Sequence, residues 1–143
     1  MKKTGVIVSG YFNPLHKGHI EYFHNAKQLA DKLIVIVNND FQRKLKGSKS
    51  FMNEDERLLI IKELKIVDFS YLSVDKTLDV SKTIKKIYKD LNNKYILSFG
   101  NGGDQNNETI PEVRVCDDLN IKLIDGLGDK VQSSSWLLNK KND

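Results

Sequence analysis

Short apolar runs alternate along this chain with longer stretches in which apolar residues recur every three or four positions. The runs are GVIVS (5–9), KLIVIVN (32–38), VDFSYLSV (67–74), KYILSFG (94–100) and IKLID (121–125). Residues 18–30, 79–91 and 111–119 have the periodicity of helices. Strands that alternate with helices predict βαβ units and a parallel sheet covered on both faces. We therefore expect one α/β domain over residues 1–143, a Rossmann-like doubly wound fold with a five-stranded parallel sheet.

Two further helices are predicted, NEDERLLIIKEL (53–64), with Asn53 as its N-cap, and SSSWLLNK (133–140). The polar segments that follow four of the strands read as loops: 9–19, 38–52, 100–107 and 126–135. The carboxyl ends of parallel strands meet at one edge of a sheet, and ligands bind there in folds of this kind. The functional site is expected at that edge.

Composition excludes several classes of function. The net charge of +4 comes mostly from dispersed lysines, without an arginine-rich block, so we expect no nucleic-acid partner. No segment approaches 18 consecutive apolar residues, so we expect no membrane partner either. A single cysteine, Cys116, excludes an intramolecular disulfide and favours a cytoplasmic location. No GxGxxG follows the first strand and no GxxxxGK[ST] occurs, so the common dinucleotide and P-loop signatures are missing.

Two of the three histidines, His16 and His19, stand three residues apart in SGYFNPLHKGH, directly after the first strand. A zinc site would need a third ligand, and the sole cysteine lies in a helix far downstream. A nucleophilic triad would need a nucleophile, and no GxSxG motif is present. Phosphate binding fits a glycine turn, a helix N-terminus and two imidazoles. The alternative is that His19 packs in the core while His16 is exposed.

The segment GYFNPLHKGH (10–19) resembles the GxFDxxHxGH signature, or HxGH motif, of the cytidylyltransferase-like superfamily of nucleotidyltransferases. The resemblance continues through NNDFQRKLKG, NEDERLLII, GNGGDQ and QSSSWLL in the same order. Within the superfamily the chain is most similar to heptose-phosphate adenylyltransferase domains and to glycerol-3-phosphate cytidylyltransferases. The resemblance implies an enzyme that binds a nucleoside triphosphate.

Roles for individual residues follow from the resemblance. It implies catalytic roles for His16, His19, Lys44 and Arg57, and nucleotide binding by Gly10, Tyr11, Phe12, Asn13, Gly18, Gly103, Asp104, Ser133 and Ser134. It implies contacts to the acceptor from Asp40 and Lys46, with Lys44 preferred for the triphosphate, and no metal ligand. Simpler explanations remain open, including solvated lysines, an Arg57–Glu54 salt bridge, turn aspartates and serines that only cap a helix.

The implied reaction transfers a nucleotidyl group from CTP or ATP to a small phosphorylated sugar or polyol and releases pyrophosphate. A phosphate oxygen of the acceptor attacks the α-phosphorus in line, so positioning and charge stabilisation do the catalysis. Mg²⁺ is expected as the cofactor, bound mainly through the nucleotide phosphates. The alternatives are a catalytically inactive nucleotide-binding module and an adenylyltransferase of the nicotinate-mononucleotide or pantetheine-phosphate type.

Two residues depart from the family pattern. Asn13 stands where relatives usually have Asp, which removes a charge near the phosphates, and Trp136 follows the serines where relatives often have a basic residue. Trp136 is expected in the core, because two leucines follow it. Compact relatives often form homodimers, so a homodimer is the candidate assembly, although no interface signature is present.

Overall fold

The computed structural model describes residues 2–100 and 111–124, and the expected terminal helix lies outside them. The strands are β1 (Lys3–Gly10), β2 (Lys32–Val37), β3 (Phe69–Leu72), β4 (Tyr95–Gly100) and β5 (Lys122–Ile124). The helices are α1 (Lys17–Lys27), α2 (Asp40–Lys46), α3 (Glu54–Glu63), α4 (Ser81–Leu91) and α5 (Val113–Asp118). Each strand expected from the sequence is present.

The described strands form one parallel sheet in the order β3-β2-β1-β4-β5, which confirms the expected Rossmann-like α/β fold. β1 lies at the centre, where Ile7 is in register with Ile34 of β2 and with Phe99 of β4. The chain winds outward from β1 in one direction through β2 and β3, and in the other through β4 and β5. The crevice at the carboxyl end of β1 is therefore the topological switch point, where open sheets bind ligands.

Side chains alternate across the central strands and build a core on each face of the sheet. Ile7 and Ile34 belong to the core covered by α4 and α5, whereas Val8 and Val35 belong to the core covered by α1 and α3. Since both faces are buried, the central strands carry nearly continuous apolar runs. These two layers hold the loops at the carboxyl edge of the sheet.

The expectation of a loop over residues 38–52 is wrong in part, because this stretch contains α2. Asn39 and Gln42 close its N-terminus reciprocally: the Asn39 side chain accepts from the Gln42 amide (2.8 Å), and the Gln42 side chain accepts from the Asn39 amide (3.0 Å). Gly47 ends the helix in the left-handed region, with φ 84°. Among the described residues, no helix is long and apolar enough to cross a membrane.

Candidate active site

A pocket of about 460 Å³ lies where β1 ends and α1 begins. Its walls come from the loop between β1 and α1 and from the segment at and beyond the end of α2, and consist of Gly10, Tyr11, Phe12, Asn13, Pro14, His16, His19, Lys46, Ser48 and Lys49. The volume is that of a small-molecule site, for which about 300–1,000 Å³ is typical. The histidines and the lysine-bearing segment therefore meet in one cavity.

His16 and His19 form a stacked pair at the N-terminus of α1. Their ring centroids lie 3.8 Å apart with an interplanar angle of 26°. The His16 Nδ1 accepts a hydrogen bond from the Gly18 amide (3.0 Å), and the His19 Nδ1 accepts one from the His16 amide (3.1 Å). The two side chains thus cap the helix, a role usually taken by Ser, Thr, Asp or Asn.

These hydrogen bonds determine the tautomer of each ring. A neutral imidazole whose Nδ1 accepts a hydrogen bond carries its proton on Nε2. Both rings therefore present an Nε2–H group as a donor, and both residues line the pocket. Two adjacent donors at a helix N-terminus suit a phosphate, whose oxygens accept hydrogen bonds and carry negative charge.

The surroundings of His19 keep its imidazole neutral. Burial, followed by the electrostatic influence of the neighbouring His16, lowers the pKa of His19 from 6.5 to about 4. The ring also packs edge-on against the buried Phe12, with centroids 5.0 Å apart. His19 is therefore half-buried and still borders the pocket. The alternative that His19 packs in the core holds only for the side of the ring that contacts Phe12.

Two glycines allow the histidines to take this arrangement. A Cβ atom at Gly18 would lie 2.9 Å from Cε1 and 3.1 Å from Nδ1 of His16, so a side chain there would displace the imidazole. A Cβ atom at Gly10 would lie 2.7 Å from the aromatic ring of Phe12. The backbone of Phe12 has a φ of 53°, in the left-handed region. Gly18 thus leaves space for the His16 ring. Gly10 leaves space for the Phe12 ring, which packs against His19.

Arg57 takes a different position from the one expected. Its side chain is fully buried and bonds to protein rather than lining the pocket. The guanidinium donates to the carbonyl oxygens of Met52 (3.1 Å), Tyr11 (2.8 Å) and Asn38 (2.6 Å), and to the Asp40 carboxylate (2.6 Å). It thus joins the loops after β1 and β2 to the start of α3. Its partner is Asp40, and not Glu54 as the sequence suggested.

Asp40, expected to face the acceptor, is engaged by the same cluster. Its Oδ2 accepts from the Glu54 amide (3.1 Å), and its own amide donates to Oε1 of Glu54 (2.8 Å). Partial burial alone would raise the pKa of the Asp40 carboxyl. The hydrogen bonds from the Glu54 amide and Arg57, with the charges of Arg57 and Arg43, outweigh burial and hold that pKa below its ordinary value.

The lysines of the segment differ in position. Lys46 lines the pocket, and its Nζ lies 4.5 Å from the centroid of the Tyr11 ring, a cation–π distance. Lys44, preferred from the sequence, is exposed and is not among the residues that line this cavity. Ser48 and Lys49 do line it, and sequence reasoning missed both. The basic run KLKGSK (44–49) was the sequence signal for these residues, but the run does not show which of its side chains reach the pocket.

Asn13 joins the histidine loop to the lysine-bearing segment. Its Nδ2 donates to the Lys49 carbonyl (2.8 Å), and its Oδ1 accepts from the amides of Phe51 and Met52 (3.0 Å each). Asn13 is also one of the residues that line the pocket. The expected nucleotide contacts Gly103, Asp104, Ser133 and Ser134, and also Trp136, lie outside the described residues.

Comparison with known proteins places the chain in a family. The family model described as cytidylyltransferase-like matches residues 7–111, which include every residue that lines the pocket. The crystal structure of the lipopolysaccharide core biosynthesis protein from Thermoplasma volcanium is similar with a TM-score of 0.66 and 27% identity, over 86% of this chain and 95% of that one.

Two kinds of curated relative match shorter regions. FAD synthase from Thermoplasma volcanium is 36% identical over 86 residues, which are 60% of this chain and 59% of that protein. The bifunctional protein HldE from Yersinia enterocolitica is 44% identical over 66 residues, 45% of this chain and 14% of HldE. The match to the family model covers most of the chain, and the stacked HxGH histidines lie at the switch point of the expected fold. The chain belongs to the cytidylyltransferase-like family of nucleotidyltransferases.

Proposed function

We propose that this protein transfers a nucleotidyl group from a nucleoside triphosphate to the phosphate of a small acceptor and releases pyrophosphate. The observation that carries the proposal is the pair of stacked imidazoles, 3.8 Å apart, whose Nδ1 atoms are both bound to backbone amides. Their Nε2–H groups are left as donors at the wall of the pocket, where negative charge on the triphosphate would be stabilised.

The reaction needs no protein nucleophile. An oxygen of the acceptor phosphate attacks the α-phosphorus, a new P–O bond forms, and the bond to the β-phosphate oxygen breaks to release pyrophosphate. His16 and His19 would donate hydrogen bonds to phosphate oxygens as charge develops, and Lys46 and Lys49 would bind the remaining phosphate charge. The catalytic contribution is alignment of the two reactants and electrostatic stabilisation.

We expect Mg²⁺ to be bound by the phosphates of the nucleotide rather than by side chains of the protein. The residues that line the pocket include no carboxylate, and the Asn13 oxygen already accepts two hydrogen bonds. Among the described residues, no group of three His, Cys, Asp or Glu side chains could hold a metal ion. When bound with the triphosphate, Mg²⁺ neutralises phosphate charge, while the protein orients the phosphates through its histidines and lysines.

Similarity supports two classes of acceptor. FAD synthase, by its name, makes a product in which an adenylyl group is joined to flavin mononucleotide, so this likeness supports ATP as the donor. The likeness to a lipopolysaccharide core biosynthesis protein supports a phosphorylated sugar or polyol, the acceptor class expected from the sequence. Both acceptors present a phosphate monoester, the one group that the proposed chemistry requires.

A pyrophosphate-release screen with Mg²⁺ tests the proposal. It combines ATP, CTP, GTP and UTP with flavin mononucleotide, glycerol 3-phosphate and a panel of sugar phosphates. Each acceptor has a matched control that lacks the phosphate, such as riboflavin or glycerol. Release that requires the phosphorylated acceptor supports the proposal and identifies base and acceptor together.

Two other outcomes have defined meanings. Nucleotide binding by calorimetry without release from any pair would favour the inactive nucleotide-binding module. The absence of both nucleotide binding and pyrophosphate release would contradict the proposed function.

A further inference from the structure

The side chain of Asn13 uses its whole amide to hold a wall of the pocket. Its oxygen accepts from two consecutive backbone amides, those of Phe51 and Met52, and its nitrogen donates to the Lys49 carbonyl. All three partners belong to the segment between α2 and α3, more than 35 residues away along the chain. One side chain on the histidine loop therefore fixes the backbone on both sides of Ser50.

Only one orientation of the amide satisfies these contacts. With the amide reversed, its NH₂ group would face the two backbone N–H donors of Phe51 and Met52, and its oxygen would face the Lys49 carbonyl oxygen. An ionised Asp at this position would keep the two accepted hydrogen bonds. It would lose the donated one and place a negative oxygen against that carbonyl. The contacts thus explain why an amide stands where related sequences usually carry Asp.

Other contacts anchor the ends of the same segment. Arg43 donates to the Ser48 carbonyl (2.5 Å), and the buried Arg57 donates to the Met52 carbonyl (3.1 Å). Between these two anchors, the Asn13 side chain bonds to the Lys49 carbonyl and to the Phe51 amide. Lys49 lines the same cavity as the two histidines, so the hydrogen bond to its carbonyl holds the Lys49 backbone at this wall of the cavity.

We propose that Asn13 is a positioning residue whose amide holds Lys49 in place for the acceptor phosphate. This proposal rests on the proposed function and deepens it: Asn13 acts through Lys49, rather than by touching the metal or the phosphates itself. If Asn13 acted directly on a metal or a phosphate-bound cation, a carboxylate would serve at least as well. The two roles therefore predict opposite effects for Asn13→Asp.

A double-mutant cycle with Lys49→Ala tests the proposal, with KM for the phosphorylated acceptor as its measure. We expect Asn13→Ala to raise this KM about tenfold in the wild-type background, as the loss of well-made hydrogen bonds does. In the Lys49→Ala background the same change should raise KM less than about twofold, because the group that Asn13 positions is gone. Ser50→Ala, an exposed change in the same segment, is the matched control and should leave KM unaltered.

Two kinetic results would overturn the proposal. One is an equal effect of Asn13→Ala in both backgrounds, which would show that Asn13 does not act through Lys49. The other is an Asn13→Asp variant at least as active as the wild type, which would show that a carboxylate serves in place of the amide.

Amide hydrogen exchange separates this proposal from the proposed function. It is measured on the protein alone, so it does not depend on any activity. Asn13→Ala should speed exchange at Phe51 and Met52, whose amides lose their acceptor. Unchanged exchange at both would overturn the positioning role. Faster exchange in a protein that turns over no substrate would instead refute the proposed function and leave the contact itself established.

Discussion

Arg57 provides the sharpest contrast between a binding role and a structural role. As an open phosphate ligand, it could be replaced with little effect on stability. In the structure it is fully buried and donates to three carbonyl oxygens and to the Asp40 carboxylate. Replacing Arg57 with Ala would leave these acceptors without their donor and would open a cavity, so we expect a large loss of folding stability.

The magnitude follows from the contacts. Removing one partner of a buried ion pair costs about 3–5 kcal/mol, because the remaining charge is left unpaired. The Asp40 side chain is 28% exposed and water can reach it, so the lower end applies, about 3 kcal/mol. For a chain of this size that is a fall in Tm of roughly 10 °C. Arg57→Lys keeps the charge but loses at least one charged hydrogen bond, which costs about 1.5–3 kcal/mol.

Urea unfolding and thermal melts measure these losses, and Lys62→Ala is the matched control. Lys62 is exposed on the same helix, and its replacement should change stability by no more than about 0.5 kcal/mol. The structural account would be refuted if Arg57→Lys unfolded with the wild-type midpoint while KM for the nucleotide rose sharply. That pattern would mean that the guanidinium binds phosphate and that the buried position does not represent the working protein.

Two further predictions separate stability from function. Gly18→Ala should lower turnover by roughly tenfold to 100-fold, because the new Cβ displaces the His16 ring, which it would approach to 2.9 Å, and small misplacements of catalytic groups are costly. Its melting temperature should change little, since the gain of about 0.5–1 kcal/mol from Ala in a helix offsets the loss of about 1 kcal/mol from the displaced His16 cap. A large fall in both turnover and melting temperature would contradict this prediction. For His19, the pKa is 6.5 in the unfolded chain and about 4 in the folded protein. As the pH falls between these values, the unfolded state takes up a proton before the folded state does, and folding stability decreases. The wild type should therefore lose more folding stability than His19→Asn between pH 7 and pH 5 in urea titrations, and equal losses would contradict the neutral imidazole.

The alternation of apolar runs with helical stretches was enough to predict the architecture. It predicted each described strand, because central strands buried on both faces must be apolar throughout. It did not predict α2, since the helix is only seven residues long and Gln42 is its one buried residue. The signal that could have revealed α2 was local: Asn39 and Gln42 have the spacing of a capping box, and Gly47 stands at the expected helix end.

The preference for Lys44 over Lys46 came from the resemblance to the family, which does not show how α2 directs each side chain. In a loop, Lys44 and Lys46 are equivalent candidates. On a helix, residues two positions apart point about 200° away from each other, so only one of them can face a given wall. The structure places Lys46 at the pocket.

The contacts that join the loops could not be predicted from a single sequence. Arg57 reaches Asp40 across 17 residues, whereas the sequence offered Glu54 at the ordinary helical spacing of three. Asn13 reaches Lys49 across 36 residues. Such pairs depend on which loops the sheet order brings together, and residue spacing carries no information about that. The arrangement of the HxGH histidines, in contrast, depends on local contacts, because their Nδ1 partners are backbone amides within three residues.

The central claim is that two imidazoles, each bound to a backbone amide through Nδ1, present Nε2–H donors to phosphate, and paired substitutions test it most directly. Asn at position 16 or 19 keeps an acceptor near the place of Nδ1, so the caps on the Gly18 and His16 amides survive while the Nε2–H donor is lost. The account predicts that His16→Asn and His19→Asn each lower pyrophosphate release by about 10²–10³-fold, with melting temperatures close to that of the wild type. Wild-type rates of pyrophosphate release in both variants would contradict it.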